Sequence, residues 1–187
     1  MYFDTSILIL LPAILFALWA QFRVKNTYAQ YSKEFASLTG AEAARMVLEM
    51  NGVNDVTIEP IAGELTDHFD PKTNTIRLSK GVYDVTSVAA VGIAAHEAGH
   101  AVQYAVGYSP IKLRTAIIPV TQIGSTLSWP LLLIGLALGN QLLATAGVVL
   151  FCAVVLFQLV PLPVEFDASR RALAWIERCD WANHAMH

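Results

Sequence analysis

The chain contains 187 residues, of which 55% are hydrophobic and 14% are charged, and its mean hydropathy is +0.50. Soluble domains carry about a quarter charged residues, so this composition excludes an ordinary soluble domain and predicts a membrane protein. The formal net charge of −3 provides no basic surface for nucleic acid. The two cysteines, Cys152 and Cys179, cannot form a disulfide framework, and we expect plain thiols.

Three segments are apolar over the roughly 20 residues that a membrane-spanning helix needs. They cover residues 2–22, 115–138 and 142–160, and the short link Gly139-Asn140-Gln141 makes the last two a hairpin. We therefore predict a mainly α-helical membrane protein with about three transmembrane helices. Its predicted parts are an N-terminal anchor (1–22), a cytoplasmic α+β segment (23–114), a transmembrane hairpin (115–160), and a cytoplasmic helix with a C-terminal tail (161–187).

The distribution of cations predicts the orientation in the membrane. All 12 Lys and Arg residues lie either between the first two spans or after the third. Because cytoplasmic loops are enriched in cations, both regions are predicted to face the cytoplasm. The first span lacks a positive start and a small-residue cleavage site, so we expect an uncleaved anchor with its N-terminus outside. The predicted location is the inner (plasma) membrane, crossed several times.

The segment between the first two spans has the pattern of a small α+β unit. Thr39 and Glu42 have the spacing of a capping box, which predicts a helix that runs to about Met50. Short strands are predicted at residues 56–61, 65–69 and 75–78, with a turn at 70–74. An exposed strand of such a sheet could bind an extended peptide by strand addition.

Residues 96–100 form an H-E-x-x-H motif inside an alanine-rich segment that is predicted to be a helix. His96 and His100 are about one turn apart, so both imidazoles project from the same face and can bind one metal ion. Glu97 lies beside them, where it can accept a proton from water. These are the components of a catalytic zinc site, so the motif predicts a zinc hydrolase.

The helix predicted at residues 87–106 could also be read as a fourth, intramembrane helix. It is rich in Ala and Gly, however, and its two His and one Glu are costly in lipid. If it spanned the membrane, Lys112 and Arg114 would face the opposite side from Arg77 and Lys80. We therefore predict a buried helix at the membrane surface and keep the intramembrane helix as the alternative.

A catalytic zinc site needs a third protein ligand. The H-E-x-x-H-x-x-G-x-x-H arrangement is excluded, because Gln103 and Val106 occupy its later positions. Glu165 is the best candidate, since it follows the third span and returns to the side where the two His lie. Asp167 is also a carboxylate on the same predicted helix, but it is two positions further on and faces roughly the other way, so it ranks second.

The motif at residues 96–100 and the string P-V-E-F-D-A-S-R-R at residues 163–171 together resemble the bacterial membrane-bound neutral zinc metallopeptidases. Those proteins are distantly similar to CAAX prenyl proteases and heat-shock membrane proteases, in which a Glu from an E-F-x-A-D-like string joins H-E-x-x-H. The resemblance runs from the first span to about Leu173 and includes G-E-L-T-D-H at residues 63–68. It implies a site in which zinc is bound by His96, His100 and Glu165, with Glu97 as the general base.

The sequence departs from this pattern in two places. In the distant relatives an Asp four residues after the ligand Glu orients a zinc-binding His, whereas here Ser169 offers a neutral and weaker partner. The family's chains continue through a further apolar helix, whereas this one ends at His187, so we expect a shortened or divergent C-terminus. His184 and His187 in this tail are expected to be frayed polar residues rather than metal ligands.

These expectations combine into a membrane-bound, Zn²⁺-dependent endopeptidase at the cytoplasmic surface of the bilayer. Its predicted substrates are unfolded or membrane-tethered polypeptides, with no nucleic-acid partner and no prediction of oligomeric state. Two alternatives stay open: an inactive membrane scaffold with structural or no zinc, and an intramembrane-cleaving protease. His68 is expected to be a surface or half-buried strand residue rather than an oxyanion donor, and Arg170 and Arg171 to be topology anchors.

Overall fold

The computed structural model describes residues 6–178, a mainly helical chain with one small sheet. Cys179, His184 and His187 lie outside the described residues. The elements in chain order are α1 (Ser6–Tyr31), α2 (Gly40–Met50), β1 (Thr57–Ile61), β2 (His68–Asp70), β3 (Thr75–Ser79), α3 (Val88–Ala105), α4 (Ser109–Ala137), α5 (Gln141–Phe157) and α6 (Leu162–Arg178).

The helix predicted after Thr39 is confirmed as α2. The Thr39 hydroxyl accepts a hydrogen bond from the backbone N–H of Glu42, and the Glu42 carboxylate accepts one from the Thr39 N–H at 2.8 Å. This capping box satisfies donors that have no partner inside the first turn. The helix ends at Met50, before Asn51 and a Gly52 with φ of 70°.

The three predicted strands form one sheet in the order β1-β3-β2. Strand β3 pairs parallel with β1 and antiparallel with β2, so the two outer strands each have a free edge. Strand β2 is shorter than predicted and begins at His68, because Gly63 and Leu65 have positive φ values of 108° and 54° that turn the chain. An extended strand cannot pass through residues in that conformation.

Helices α2, α3 and α6 and the sheet pack together, and we call this part of the protein the folded half. Its core lies between these elements. Its buried residues are mostly small, and alanines on α2 and α3 let the helices approach closely. The core residues include Ala43, Ala44, Val47, Leu48, Ile76, Leu78, Ala90, Val91, Ala94, Ala95, Ala98, Val102, Ala172 and Trp175. Helix α3 runs through the centre of this core rather than along its surface.

Helices α4 and α5 form the predicted hairpin, with its turn at Leu138–Asn140. Helix α4 continues through Pro119 and Pro130, as expected for a spanning helix, and begins at Ser109, earlier than predicted. Two helices within residues 6–178 are long and apolar enough to span a membrane: Ser109–Ala137 and the helix that begins at Gln141.

Helix α1 is longer than the predicted first span, which ended at residue 22. It continues to Tyr31 through Arg23 and Lys25, because no Gly or Pro interrupts the chain before Gly40. The mostly polar residues after Phe22 end the apolar segment, but they do not end the helix. This extension places the last turns of α1 beside α3.

Candidate metal centre

Helix α3 carries the H-E-x-x-H motif in its second half. The helix begins after Ser87, whose hydroxyl accepts a hydrogen bond from the Ala90 N–H at 3.2 Å. His96 and His100 then project from one face, with their ring centroids 4.7 Å apart. His100 is buried and His96 half-buried, so one imidazole is fixed by packing and the other lines an opening.

Helix α6 reaches this face because Gly99 allows it to. A Cβ at Gly99 would lie 2.9 Å from the carbonyl oxygen of Ala168, so any larger residue would push the two backbones apart. Ala168 is itself completely buried. The pair of small residues therefore sets the distance between the helix that carries the imidazoles and the helix that carries Glu165.

Glu165 lies in the first turn of α6 and completes a three-residue cluster. Its Oε2 atom lies 3.2 Å from His96 Nε2 and 3.4 Å from His100 Nε2. Donor atoms around a tetrahedral zinc ion with bonds near 2.0–2.1 Å are separated by about 3.3 Å. The two imidazoles and the carboxylate therefore have both the chemistry and the spacing of a zinc-binding set. Among residues 6–178 they are a group of side chains that could bind one metal ion, and we call them the metal cluster.

The second nitrogen of each imidazole has its own hydrogen-bond partner. Gln103 Oε1 lies 3.0 Å from His100 Nδ1, and Ser169 Oγ lies 3.2 Å from His96 Nδ1. These contacts orient both rings so that their Nε2 atoms point toward Glu165, which is how ligand imidazoles are normally held. Ser169 is therefore the hydrogen-bond partner that orients the His96 ring, and it does so with a neutral hydroxyl.

Gln103 connects His100 to α6. Its amide nitrogen donates to the Val164 carbonyl at 2.9 Å and to Asp167 Oδ2 at 2.8 Å. Burial acts to raise the pKa of Asp167, but hydrogen bonds from Gln103 and Arg171 outweigh it, so the pKa lies below its usual value. Asp167 therefore remains ionised behind Gln103 and lies outside the cluster of possible ligands.

Arg114 approaches Glu165 from the opposite side. Its guanidinium lies 3.3 Å from Glu165 Oε1, which leaves Oε2 directed at the two imidazoles. Hydrogen bonds to His100 and His96, with a further contribution from Arg114, keep the pKa of Glu165 well below its usual range, against an opposing effect of burial. Arg114 belongs to the first turns of α4, so it joins the cluster to the base of the hairpin.

Glu97 lies on α3 between the cluster and strand β2. Its Oε2 accepts a hydrogen bond at 3.0 Å from the backbone N–H of Phe69, which is on the free edge of β2. Burial raises the pKa of Glu97, although His100 and His96 act in the opposite direction. A carboxylate with a raised pKa is better suited to accept and return a proton near neutral pH.

Comparison with known proteins decides the family. The profile of the family described as "Putative neutral zinc metallopeptidase" matches residues 6–187. The chain belongs to this family. It is similar to "Putative membrane protease YugP" of Bacillus subtilis (strain 168), with 46% identity over 168 residues, covering 89% of this chain and 75% of the relative. No solved structure matches the chain.

The structure brings together the four residues that the family resemblance implies: His96, Glu97, His100 and Glu165. His68 lies apart from them, half-buried on β2, where its Nδ1 contacts the Thr66 carbonyl at 2.8 Å. Arg171 donates to Asp167 at 2.7 Å, and Arg170 is exposed.

Gln103 and Arg114 were not identified as site residues from the sequence. Gln103 was considered only as the residue that replaces the Gly of the longer motif, and its amide in fact contacts the imidazole of His100. The usable signal was its position three residues after His100, on the same helical face. Arg114 lies in the chain before an apolar helix, where a cation is typical of a topology anchor, so nothing local indicated its contact with Glu165.

Proposed function

We propose that the protein is a membrane-bound zinc endopeptidase that hydrolyses peptide bonds at the cytoplasmic surface of the membrane. The observation that carries this proposal is the cluster of His96, His100 and Glu165, with Glu97 beside it. Family membership supports a zinc peptidase, and the name of the Bacillus relative supports a membrane protease.

Each residue has a defined role in the proposal. The imidazoles of His96 and His100 and the carboxylate of Glu165 would hold the zinc ion, which when bound polarises the scissile carbonyl and lowers the pKa of water. Glu97 removes a proton from the attacking water and transfers it to the amine that leaves. Gln103 and Ser169 keep both imidazoles in the required orientation.

The free edge of β2 supports a polypeptide substrate. The backbone N–H of Phe69 on that edge donates to Glu97, so a peptide that pairs with β2 must take over this donor and then lies beside the Glu97 carboxylate. An extended peptide that pairs with this edge would bring a carbonyl past the cluster, and its backbone would supply most of the binding contacts. We infer that unfolded or membrane-tethered segments are the substrates, because a folded chain cannot present an extended strand.

The proposal places α1, α4 and α5 in the bilayer. Large apolar side chains on these helices are exposed, including Leu15 at 63%, Leu136 at 65% and Val149 at 62%. The cations lie in the last turns of α1, in the segment between α1 and α4, or at the open end of the hairpin, and this favours the cytoplasm for the metal cluster.

A site inside the bilayer is the less favoured alternative. Helix α3 is packed between α2 and α6 and carries no exposed apolar face of the kind seen on α4 and α5. Arg114 and Arg171 also lie close to the cluster, and these cations favour an aqueous boundary.

The proposal is tested with the full-length protein in detergent, comparing wild type with Glu97→Gln. Zinc content is measured by elemental analysis, and cleavage by release of fragments from unfolded casein. We expect one zinc per chain in both proteins and a loss of cleavage of at least 100-fold in the variant. Unchanged cleavage by Glu97→Gln would exclude Glu97 as the base, and zinc-loaded wild type without cleavage would favour the scaffold.

A further inference from the structure

A groove of about 550 Å³ lies between the last turns of α1, the first half of α3 and the loop before β2. Its walls are almost entirely apolar. Tyr28 and Tyr31 form one side, Gly92 and Ile93 the other, and Leu65 lies at the end. The volume is within the range of sites that bind small ligands and is more than enough for one large side chain. None of the four residues of the metal cluster and its base lines this groove, which we call the α1–α3 groove.

The α1–α3 groove leads toward the metal centre. At about 100° per residue, Val88, Ala89, Gly92 and Ile93 share one face of α3, and His96 lies on the same face one turn further along. Leu65, at the end of the groove, lies three residues before β2, and the Phe69 N–H of that strand bonds to Glu97. A chain seated at the cluster can therefore place a neighbouring side chain in the groove.

Gly92 is a second indication that the α1–α3 groove binds an occupant. A Cβ added at this position would meet no atom within 4 Å, so no contact inside the protein requires glycine there. Glycine in the middle of a helix lowers stability relative to alanine, and Gly99 on the same helix has a packing reason that Gly92 lacks. Gly92 keeps the floor of the groove open, which is useful when an occupant approaches the helix backbone.

We propose that the α1–α3 groove is the specificity pocket of the peptidase and takes a large apolar side chain, such as Leu or Phe, beside the scissile bond. The inference rests on the proposed function and makes it more specific. Apolar segments of polypeptides, of the kind found in membrane proteins, are then the preferred substrates. A lipid acyl chain is the competing occupant, and continuity with His96 and β2 favours the peptide.

The test uses the zinc-loaded, full-length protein in detergent and two fluorogenic decapeptides that differ only in a central Leu-Phe or Ala-Ser pair. Wild type is expected to cleave the Leu-Phe peptide with at least 10-fold higher kcat/KM. Gly92→Leu extends a side chain into the groove from a position where an added Cβ meets no atom within 4 Å. We expect it to reduce this ratio to near 1 while cleavage of the Ala-Ser peptide stays within twofold. Ala105→Leu, at an exposed position of α3 outside the groove, is the matched control and should behave as wild type.

Gly92→Ala adds one methyl group to the same open space and favours the helix, so it should fold and reduce the preference partly, even if the leucine variant does not fold. An unchanged preference in both Gly92 variants would overturn the pocket. The pocket would also be overturned if Gly92→Leu reduced labelling by a photoreactive phospholipid but left cleavage of both peptides unchanged.

Binding separates failure of the pocket from failure of the proposed function. Fluorescence anisotropy of the two labelled peptides is measured on Glu97→Gln and on the Glu97→Gln, Gly92→Leu double variant. Suppose that no protein cleaves either peptide, that Glu97→Gln binds the Leu-Phe peptide at least 10-fold more tightly than the Ala-Ser peptide, and that the double variant loses this difference. The groove is then a binding pocket for large apolar side chains, although the proposed peptidase function has failed. Equal binding of both peptides to Glu97→Gln would overturn the pocket.

Discussion

The folded half and the hairpin are packed in opposite ways. Around α3, large apolar residues such as Leu48 and Ile76 are completely buried together with the small residues of the core. Between α4 and α5, the buried residues are mainly small, such as Gly124, Ser128 and Gly147, while the large apolar ones point outward. Burial of apolar surface from water explains the first half, and the second has the close packing of small residues that is typical of helices in lipid.

The two halves meet at the metal cluster. Helix α6 follows the hairpin in the chain and supplies Glu165, and α4 supplies Arg114 from the other end of the hairpin. The hairpin therefore brings two residues to a site whose imidazoles belong to the folded half.

The largest effect is expected from Gly99→Val, which separates the two helices of the cluster. The new side chain would meet the Ala168 backbone, so α6 must move away and Glu165 with it. We expect zinc affinity and cleavage to fall at least 100-fold, measured by titration with a chelator and by casein hydrolysis. Gly92→Ala, on the same helix but in open space, is the control and should retain zinc.

A charge placed on the outward face tests whether the hairpin lies in lipid. Val149→Asp places a carboxylate on a residue that is 62% exposed, and a charge at the centre of a spanning helix costs about 3 kcal/mol. We expect the amount of protein in the membrane fraction to fall strongly, as measured by fractionation and immunoblotting. Asn54→Asp, at an exposed position of the folded half, should have no effect. Normal insertion of Val149→Asp would mean that the outward face contacts water.

Gln103→Leu tests the connection between α3 and α6 without changing a ligand. The substitution removes the partner of His100 Nδ1 and one of the donors to Asp167, which keeps its bond from Arg171. Loss of such a supporting hydrogen bond typically lowers metal affinity by about 10–100-fold, and we expect a loss in that range by chelator titration. Gln141→Leu, at the exposed first residue of α5, should leave affinity unchanged. Unchanged affinity in Gln103→Leu would show that the contact does not support the site.

Local patterns predicted the elements whose causes are local. The capping box at Thr39 and the H-E-x-x-H helix follow from residues within one or two turns. The prediction gave residues 2–22 as an apolar span, and α1 continues beyond that span to Tyr31 because no breaker ends the helix where the apolar segment ends. Strand β2 was predicted too long, because the pattern of residues 65–69 does not reveal the positive φ of Leu65.

The cluster of His96, His100 and Glu165 was predictable from the sequence, but the contacts around it were not. Glu165 could be selected because span counting returned it to the side of His96, 69 residues away. The contacts of Gln103 with α6 and of Arg114 with Glu165 depend on how helices pack, which no spacing in the sequence encodes.

The smallest effect is expected from Thr39→Ala, which removes the capping box far from the hairpin. Loss of such a cap costs about 1 kcal/mol, so Tm should fall by a few degrees in detergent, with zinc content unchanged. Ser37→Ala, two residues earlier and exposed, should not change Tm. A loss of zinc in Thr39→Ala would show that the folded half transmits its stability to the cluster more strongly than its contacts indicate.

The central claim is that side chains of α3 and α6 form one zinc site, and the zinc content of Glu165→Ala and Asp167→Ala tests it most directly. Both carboxylates lie on α6, but only Glu165 reaches the two imidazoles. The account predicts that purified Glu165→Ala loses its zinc, while Asp167→Ala retains it with weaker affinity. Retention of zinc by Glu165→Ala together with its loss in Asp167→Ala would contradict the account.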